Sequence, residues 1–137
     1  MNLLVYAFRA DVRDHDRYRT WMQGLVEAEA SYAVSDLVLS GFVRIVTHPA
    51  IFPNPDPVAD AMDFASALRS APNAVAIGPG RRHWAIFEDL CRRTGAKGNS
   101  VPDAFYAALA IESGSDWVTA DRGFARFPGL RWRHPFD

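Results

Sequence analysis

The sequence has a single cysteine, Cys91, so it cannot form an internal disulfide and has no structural need of an oxidising compartment. No apolar run approaches the roughly 18 to 20 residues of a membrane helix. The first nine residues lack the basic start, long apolar stretch and small-residue cleavage site of a signal peptide. We therefore expect a cytoplasmic protein that does not contact a membrane.

An excess of positive charge is also missing. The chain carries 15 Lys and Arg against 16 Asp and Glu, whereas proteins that bind nucleic acid by electrostatics alone are basic. Lys97 is the one lysine, and the remaining basic residues are arginines, whose planar fork suits phosphates and carboxylates. Arginines crowd the C-terminal end, where either a solvated rim or a phosphate-binding surface fits the pattern.

Helices alternate with short apolar strands along the chain, which predicts an α/β fold with a parallel sheet. No linker, repeat or low-complexity segment divides the 137 residues, so we expect a single domain over 1–137. Strands are predicted at 3–8, 74–77, 116–119 and 130–133, an irregular turn at 121–127, and helices at 14–30, 36–47, 57–70, 81–94 and 101–113.

Two aspartates occupy the place where ligands bind in such sheets, beyond the carboxyl ends of the strands. Asp121 follows the strand 117–119, and Asp103 lies in the first turn of the preceding helix. Carboxylates that meet at one point attract Mg²⁺ or Mn²⁺. Each also has a structural interpretation, because Ser100 to Asp103 fits a capping box and Asp121 fits a turn.

Several segments resemble PIN domains, in particular the mycobacterial group of VapC toxins. The resemblance lies in PDAFYAALA (102–110), WVTADRGF (117–124), FPGLRW (127–132) with His134-Pro135, VLSGFVRIVT (38–47) and NLLVYAF (2–8). It covers nearly the whole chain. It implies a PIN-like three-layer sandwich, with a central parallel sheet flanked by helices, and a Mg²⁺- or Mn²⁺-dependent endoribonuclease that acts as the toxin of a toxin–antitoxin pair.

On this resemblance Asp103 is the third acid of the family and Asp121 the fourth. Thr119 matches a supporting hydroxyl, and Asn2 matches the asparagine of the opening Asp-x-Asn. Arg122 and Arg126 are expected to hold the RNA backbone.

The chain departs from the family pattern at two positions. The family's first acid stands two residues before the position of Asn2, and the sequence contains no residue there. A start codon assigned too late is one explanation, and we expect weak metal binding and slow cleavage by this exact chain. Gly41 stands where many PIN domains carry a glutamate. Asp36 lies on the same predicted helix, where we interpret it as the N-cap.

The resemblance also implies partners: an RNA substrate (tRNA, rRNA or mRNA), a VapB-type antitoxin and a second copy of the chain in a homodimer. A different class of function stays open, a catalytically impaired PIN module that binds RNA or antitoxin without cleaving. A Mg²⁺-dependent phosphatase is a weaker alternative, since Phe8-Arg9 stands where its aspartate nucleophile belongs. We interpret His83 as a helix-surface residue and place the aromatics, Trp84 included, mostly on inner helix faces.

Overall fold

The apolar run at the start of the chain is helical, so the prediction of a strand at 3–8 is wrong. In the computed structural model, which describes residues 1–137, Asn2–Phe8 form helix α1. The N–H groups of Leu4 and Val5 donate to the carbonyl of Met1, at 3.1 and 3.4 Å. So short an apolar run has no periodicity that separates a strand from a buried helix, and here the backbone groups are satisfied locally.

The chain divides into two compact units, residues 1–76 and 77–137. The expectation of a single domain over 1–137 stays a prediction. No helix in either unit is long and apolar enough to cross a membrane.

The first unit packs its helices around aromatic side chains. Phe42 is fully buried, and the rings of Phe8 and Phe64 contact it at centroid distances of 5.4 and 5.2 Å. Arg9, which ends α1, is also buried, and its guanidinium is satisfied by Asp11 and Asp56 at 2.6 and 2.9 Å. The other elements of this unit are α2 His15–Glu27, β1 Tyr32–Ser35, α3 Asp36–Val46, α4 Val58–Ser70 and β2 Ala74–Ile77, the last of which reaches the boundary.

The start of α3 differs from the prediction. Ser35 is the N-cap, and its hydroxyl accepts a hydrogen bond from the N–H of Leu37 at 3.2 Å. Asp36 instead pairs with Arg69 of α4 at 2.7 Å, so its interpretation as the cap is wrong. Strand β1 was not predicted, because four residues between two helices give too short a pattern.

The second unit contains α5 His83–Thr94, α6 Ser100–Ser113, β3 Trp117–Val118, a 3₁₀ turn at Arg122–Arg126 and β4 Trp132–Arg133. Strands β3 and β4 pair in parallel, Trp117 with Trp132. The glycines Gly95 and Gly114 end the two helices with φ of 64° and 70°, a left-handed conformation that favours glycine.

Small residues along α6 allow close packing against α5 and the turn. Ala104, Ala107 and Ala108 are fully buried in a cluster with Leu90 and Phe124, among others. The element types thus confirm the α/β class and its parallel pairing. The four strands, however, pair two by two, β1 with β2 and β3 with β4, rather than in one continuous sheet.

Two predictions for α5 are wrong. His83 is buried, with its Nε2 3.0 Å from the carbonyl oxygen of Phe105, whereas we expected it on the surface. Trp84 is 66% exposed, although we placed it on an inner face. The helix begins at His83, and its first turn presents His83 to α6 and its neighbour Trp84 to solvent, which the apolar pattern of the sequence does not separate.

Candidate active site

Asp103 lies in the first turn of α6, as the sequence predicted, but it does not cap the helix. The N-cap is Asn99, and no side chain there makes a capping bond. The hydroxyl of Ser100 instead bonds the backbone of Lys97 at 2.8 Å. The carboxylate of Asp103 therefore makes no capping bond to the helix terminus, and the capping-box interpretation is wrong.

Asp121 follows β3 and is positioned by Thr119. The Thr119 N–H still donates to the carbonyl of Arg133 at 3.0 Å, which extends the β3–β4 pairing to this residue. The buried Thr119 hydroxyl accepts the N–H of Asp121 at 3.0 Å. Oδ1 of Asp121 in turn accepts the N–H of Gly123 at 2.8 Å. One carboxylate oxygen thus has the turn role that we weighed as the structural alternative.

Arg126 bonds to Asp103 and to the turn that follows Asp121. Its Nη2 donates to Oδ2 of Asp103 at 2.9 Å, and its Nη1 donates to the carbonyl of Gly123 at 2.6 Å. Gly123 belongs to the turn that Asp121 caps, so one guanidinium bonds to both parts of the site. We expected Arg126 to hold the RNA backbone and did not predict its contact with Asp103, since no sequence pattern links positions 23 residues apart.

Arg122 is held far less firmly than Arg126. Its Nη2 lies 3.5 Å from Oδ1 of Asp137, and its side chain is 65% exposed. This guanidinium is in the same turn as Arg126 and is accessible to a phosphate.

The other acidic and amide candidates have surroundings of their own. Asp116 pairs with Arg131 at 3.0 Å. Asp36 and Asn2 belong to the first unit, where Asp36 pairs with Arg69. The Oδ1 atom of Asn2 is buried and has no hydrogen-bond partner, an unsatisfied acceptor at the start of α1.

The donor set suits a hard divalent cation in kind, though it is small. Asp103 and Asp121 offer carboxylate oxygens, which Mg²⁺ and Mn²⁺ prefer. The structure brings no group of three or more His, Cys, Asp or Glu side chains together. An ion held by these two carboxylates would keep most of its coordination shell as water.

Comparisons with known proteins agree with this architecture. The family model described as "PIN domain" matches residues 2–130. The chain is 45% identical over 137 residues to VapC ribonuclease Mb2897 of Mycobacterium bovis and to ribonuclease VapC43 of Mycobacterium tuberculosis, which covers all of this chain and 93% of each relative. Ribonuclease VapC25 of Mycobacterium tuberculosis is 36% identical over 135 residues, 98% of this chain and 95% of that protein.

A solved structure shares the fold. The crystal structure of VapBC2 from Rickettsia felis, bound to a DNA fragment from their promoter, matches with a TM-score of 0.69 at 19% identity. The match covers 97% of this chain and 93% of that one. With the family match over residues 2–130 and the full-length similarity to VapC ribonucleases, this chain belongs to the PIN domain family and, within it, to the VapC ribonucleases.

Proposed function

We propose that the chain is an endoribonuclease toxin that hydrolyses RNA phosphodiester bonds at Asp103 and Asp121. The observation that carries this proposal is the bond of Arg126 to Asp103, at the start of α6, and to Gly123, in the turn that Asp121 caps after β3. The full-length similarity to proteins named VapC ribonuclease supports the same activity.

Ribonucleases of this family generally depend on a divalent metal, and we propose Mg²⁺ or Mn²⁺ for this one. Asp103 and Asp121 would hold the ion, which would stabilise the charge on the phosphoryl group and supply a more acidic bound water. The Thr119 hydroxyl would position Asp121, because it accepts the backbone N–H of that residue. We propose Asn2 as a further supporting residue, because its buried Oδ1 lacks a partner in the structure.

Arg122 is the better candidate for contact with the RNA backbone. Its side chain is exposed, and a guanidinium binds phosphate oxygens through paired donors. Arg126 is the weaker candidate while it is paired, because two of its five N–H donors and its charge are already directed to Gly123 and Asp103.

The partners are part of the proposal. The VapBC2 structure has the fold of this chain, and we propose a VapB-type antitoxin as the neutralising partner here. We also propose a homodimer, a tRNA, rRNA or mRNA substrate and a cytoplasmic location, where such a substrate is met.

Cleavage of a mixed tRNA and rRNA pool tests the activity. We would compare this chain, a version that includes any upstream residues the gene encodes, and Asp103→Asn and Asp121→Asn variants of whichever cuts. Cleavage in Mg²⁺ that EDTA and either substitution abolish is the expected result. Cleavage that survives both substitutions would place the chemistry elsewhere.

A second candidate, a module that binds RNA or antitoxin without cutting, is favoured by one observation. The site offers two carboxylates, one of them already neutralised by Arg126. RNA binding by fluorescence anisotropy, with no cleavage by any version in Mg²⁺ or Mn²⁺, would favour this candidate over the nuclease.

A further inference from the structure

Arg126 is anchored on three sides. Its guanidinium donates to Asp103 and to the carbonyl of Gly123, and it lies over the ring of Phe127 at 4.6 Å from the centroid. An exposed salt bridge usually contributes little stability, because two mobile side chains must be ordered to form one contact. Here the Gly123 and Phe127 contacts hold the guanidinium in place, so pairing with Asp103 needs little further ordering.

Arg126 occupies the place beside Oδ2 of Asp103 that a cation bound to this oxygen would take. Its Nη2 is at 2.9 Å from Oδ2 of Asp103, within direct hydrogen-bond distance. Nη1 of Arg126 and Oδ1 of Asp121 both lie beside Gly123, since a Cβ built on that glycine would be 2.8 Å from the first atom and 2.9 Å from the second. A divalent ion and this guanidinium compete for the same negative charge.

We infer that Arg126 is an internal counter-ion of the site, and that a divalent metal binds Asp103 only in exchange for it. This inference rests on the proposed metal site. The apparent affinity for the ion is then the affinity of the unpaired site multiplied by the fraction of molecules in which Arg126 is not paired with Asp103. If the pair is open in about a tenth of the molecules, the apparent affinity is about tenfold weaker than that of an unpaired site.

The exchange has a consequence for the substrate. An Arg126 released from Asp103 stays in the 3₁₀ turn with Arg122, where it presents a free pair of donors. A phosphate is the group that such a fork binds best. Metal binding and RNA binding would therefore support each other, since the ion releases the arginine that the RNA backbone then contacts.

Manganese binding, measured as the loss of the free Mn²⁺ signal in electron paramagnetic resonance, tests the inference on the full chain. We expect Arg126→Ala to bind Mn²⁺ roughly tenfold more tightly than the wild type. Arg122→Ala is the matched control: it removes the same charge from the same turn but no contact with Asp103, and we expect a change within about twofold. Asp103→Asn added to Arg126→Ala should cancel the gain.

An equal gain in Arg122→Ala would reduce the effect to general electrostatics and overturn the inference. Unchanged or weaker binding by Arg126→Ala would overturn it too, as would the absence of Mn²⁺ binding in every version at millimolar concentration. The Mn²⁺ measurement contains no RNA, so it tests only the exchange between the ion and Arg126. The cleavage assay tests the nuclease proposal separately.

A second measurement on the wild type covers the case in which Arg126→Ala folds poorly. The side-chain Nε–H resonance of Arg126, assigned by nuclear magnetic resonance, should shift as Mg²⁺ is added, and the shift should be lost in Asp103→Asn. A resonance that stays in place while Mg²⁺ binds would show that the ion does not displace the arginine.

Discussion

The carboxylate of Glu112, near the end of α6, accepts the backbone N–H of Gly80 at 2.7 Å. It also accepts the N–H of Arg82 at 2.9 Å, so one side chain holds the loop that leads into α5. These bonds favour the ionised carboxylate, and the Gly80 N–H, which is the larger cause, lowers the pKa of Glu112 below its ordinary value of 4.5.

Substitution of Glu112 should therefore change how stability depends on pH. A carboxyl whose pKa is lowered by folding contributes stability above its unfolded pKa, and the contribution is lost as the pH falls through the folded value. We expect Glu112→Gln to be less stable than the wild type near neutral pH and to lose less stability on acidification below about pH 4.5. Urea unfolding across that range measures this, and parallel pH curves for the two proteins would contradict it.

His83 should stabilise the pairing of α5 with α6 through both its ring and its hydrogen bond. The ring is buried, contacts Phe105 at a centroid distance of 4.2 Å and bonds that residue's carbonyl. We expect His83→Phe, which keeps a ring, to cost about 1 kcal/mol of unfolding free energy, and His83→Ala to cost about 2 to 3 kcal/mol. Equal losses in the two variants would show that the hydrogen bond carries the whole effect.

Thr119 should affect the proposed chemistry through Asp121. Thr119→Val keeps the shape but removes the hydroxyl that accepts the Asp121 N–H. We expect a stability loss of about 1 kcal/mol and slower RNA cleavage by whichever version of the chain is active. Thr119→Ser keeps the hydroxyl and is the control. If Thr119→Val cleaves as fast as Thr119→Ser, the hydroxyl does not position Asp121.

The two aromatic residues Trp84 and Phe124 should behave in opposite ways. Trp84 is 66% exposed, whereas Phe124 is 5% exposed in the cluster with Ala107. We expect Trp84→Ala to change the free energy of unfolding by less than about 0.5 kcal/mol, and Phe124→Ala to lower it by about 3 kcal/mol or more. Thermal unfolding of both variants would show a similar loss if Trp84 were the core residue that the sequence predicted.

The sequence by itself determined the element order over most of the chain and the place of the two acids. Long amphipathic patterns and helix-ending glycines such as Gly95 and Gly114 depend on neighbours in sequence, so they located α5 and α6 correctly. The position of Asp121 after β3 follows from the same local rules.

The tertiary structure alone decided the contacts between distant residues. Whether residues 2–8 form a strand or a helix depends on what surrounds them, since a short apolar run is compatible with both. Likewise, His83 or Trp84 turns inward according to where α6 lies, and Arg126 reaches Asp103 because the turn after β3 comes back to the start of α6. Local propensity carries no information on such long-range contacts, which exist only once the chain has packed.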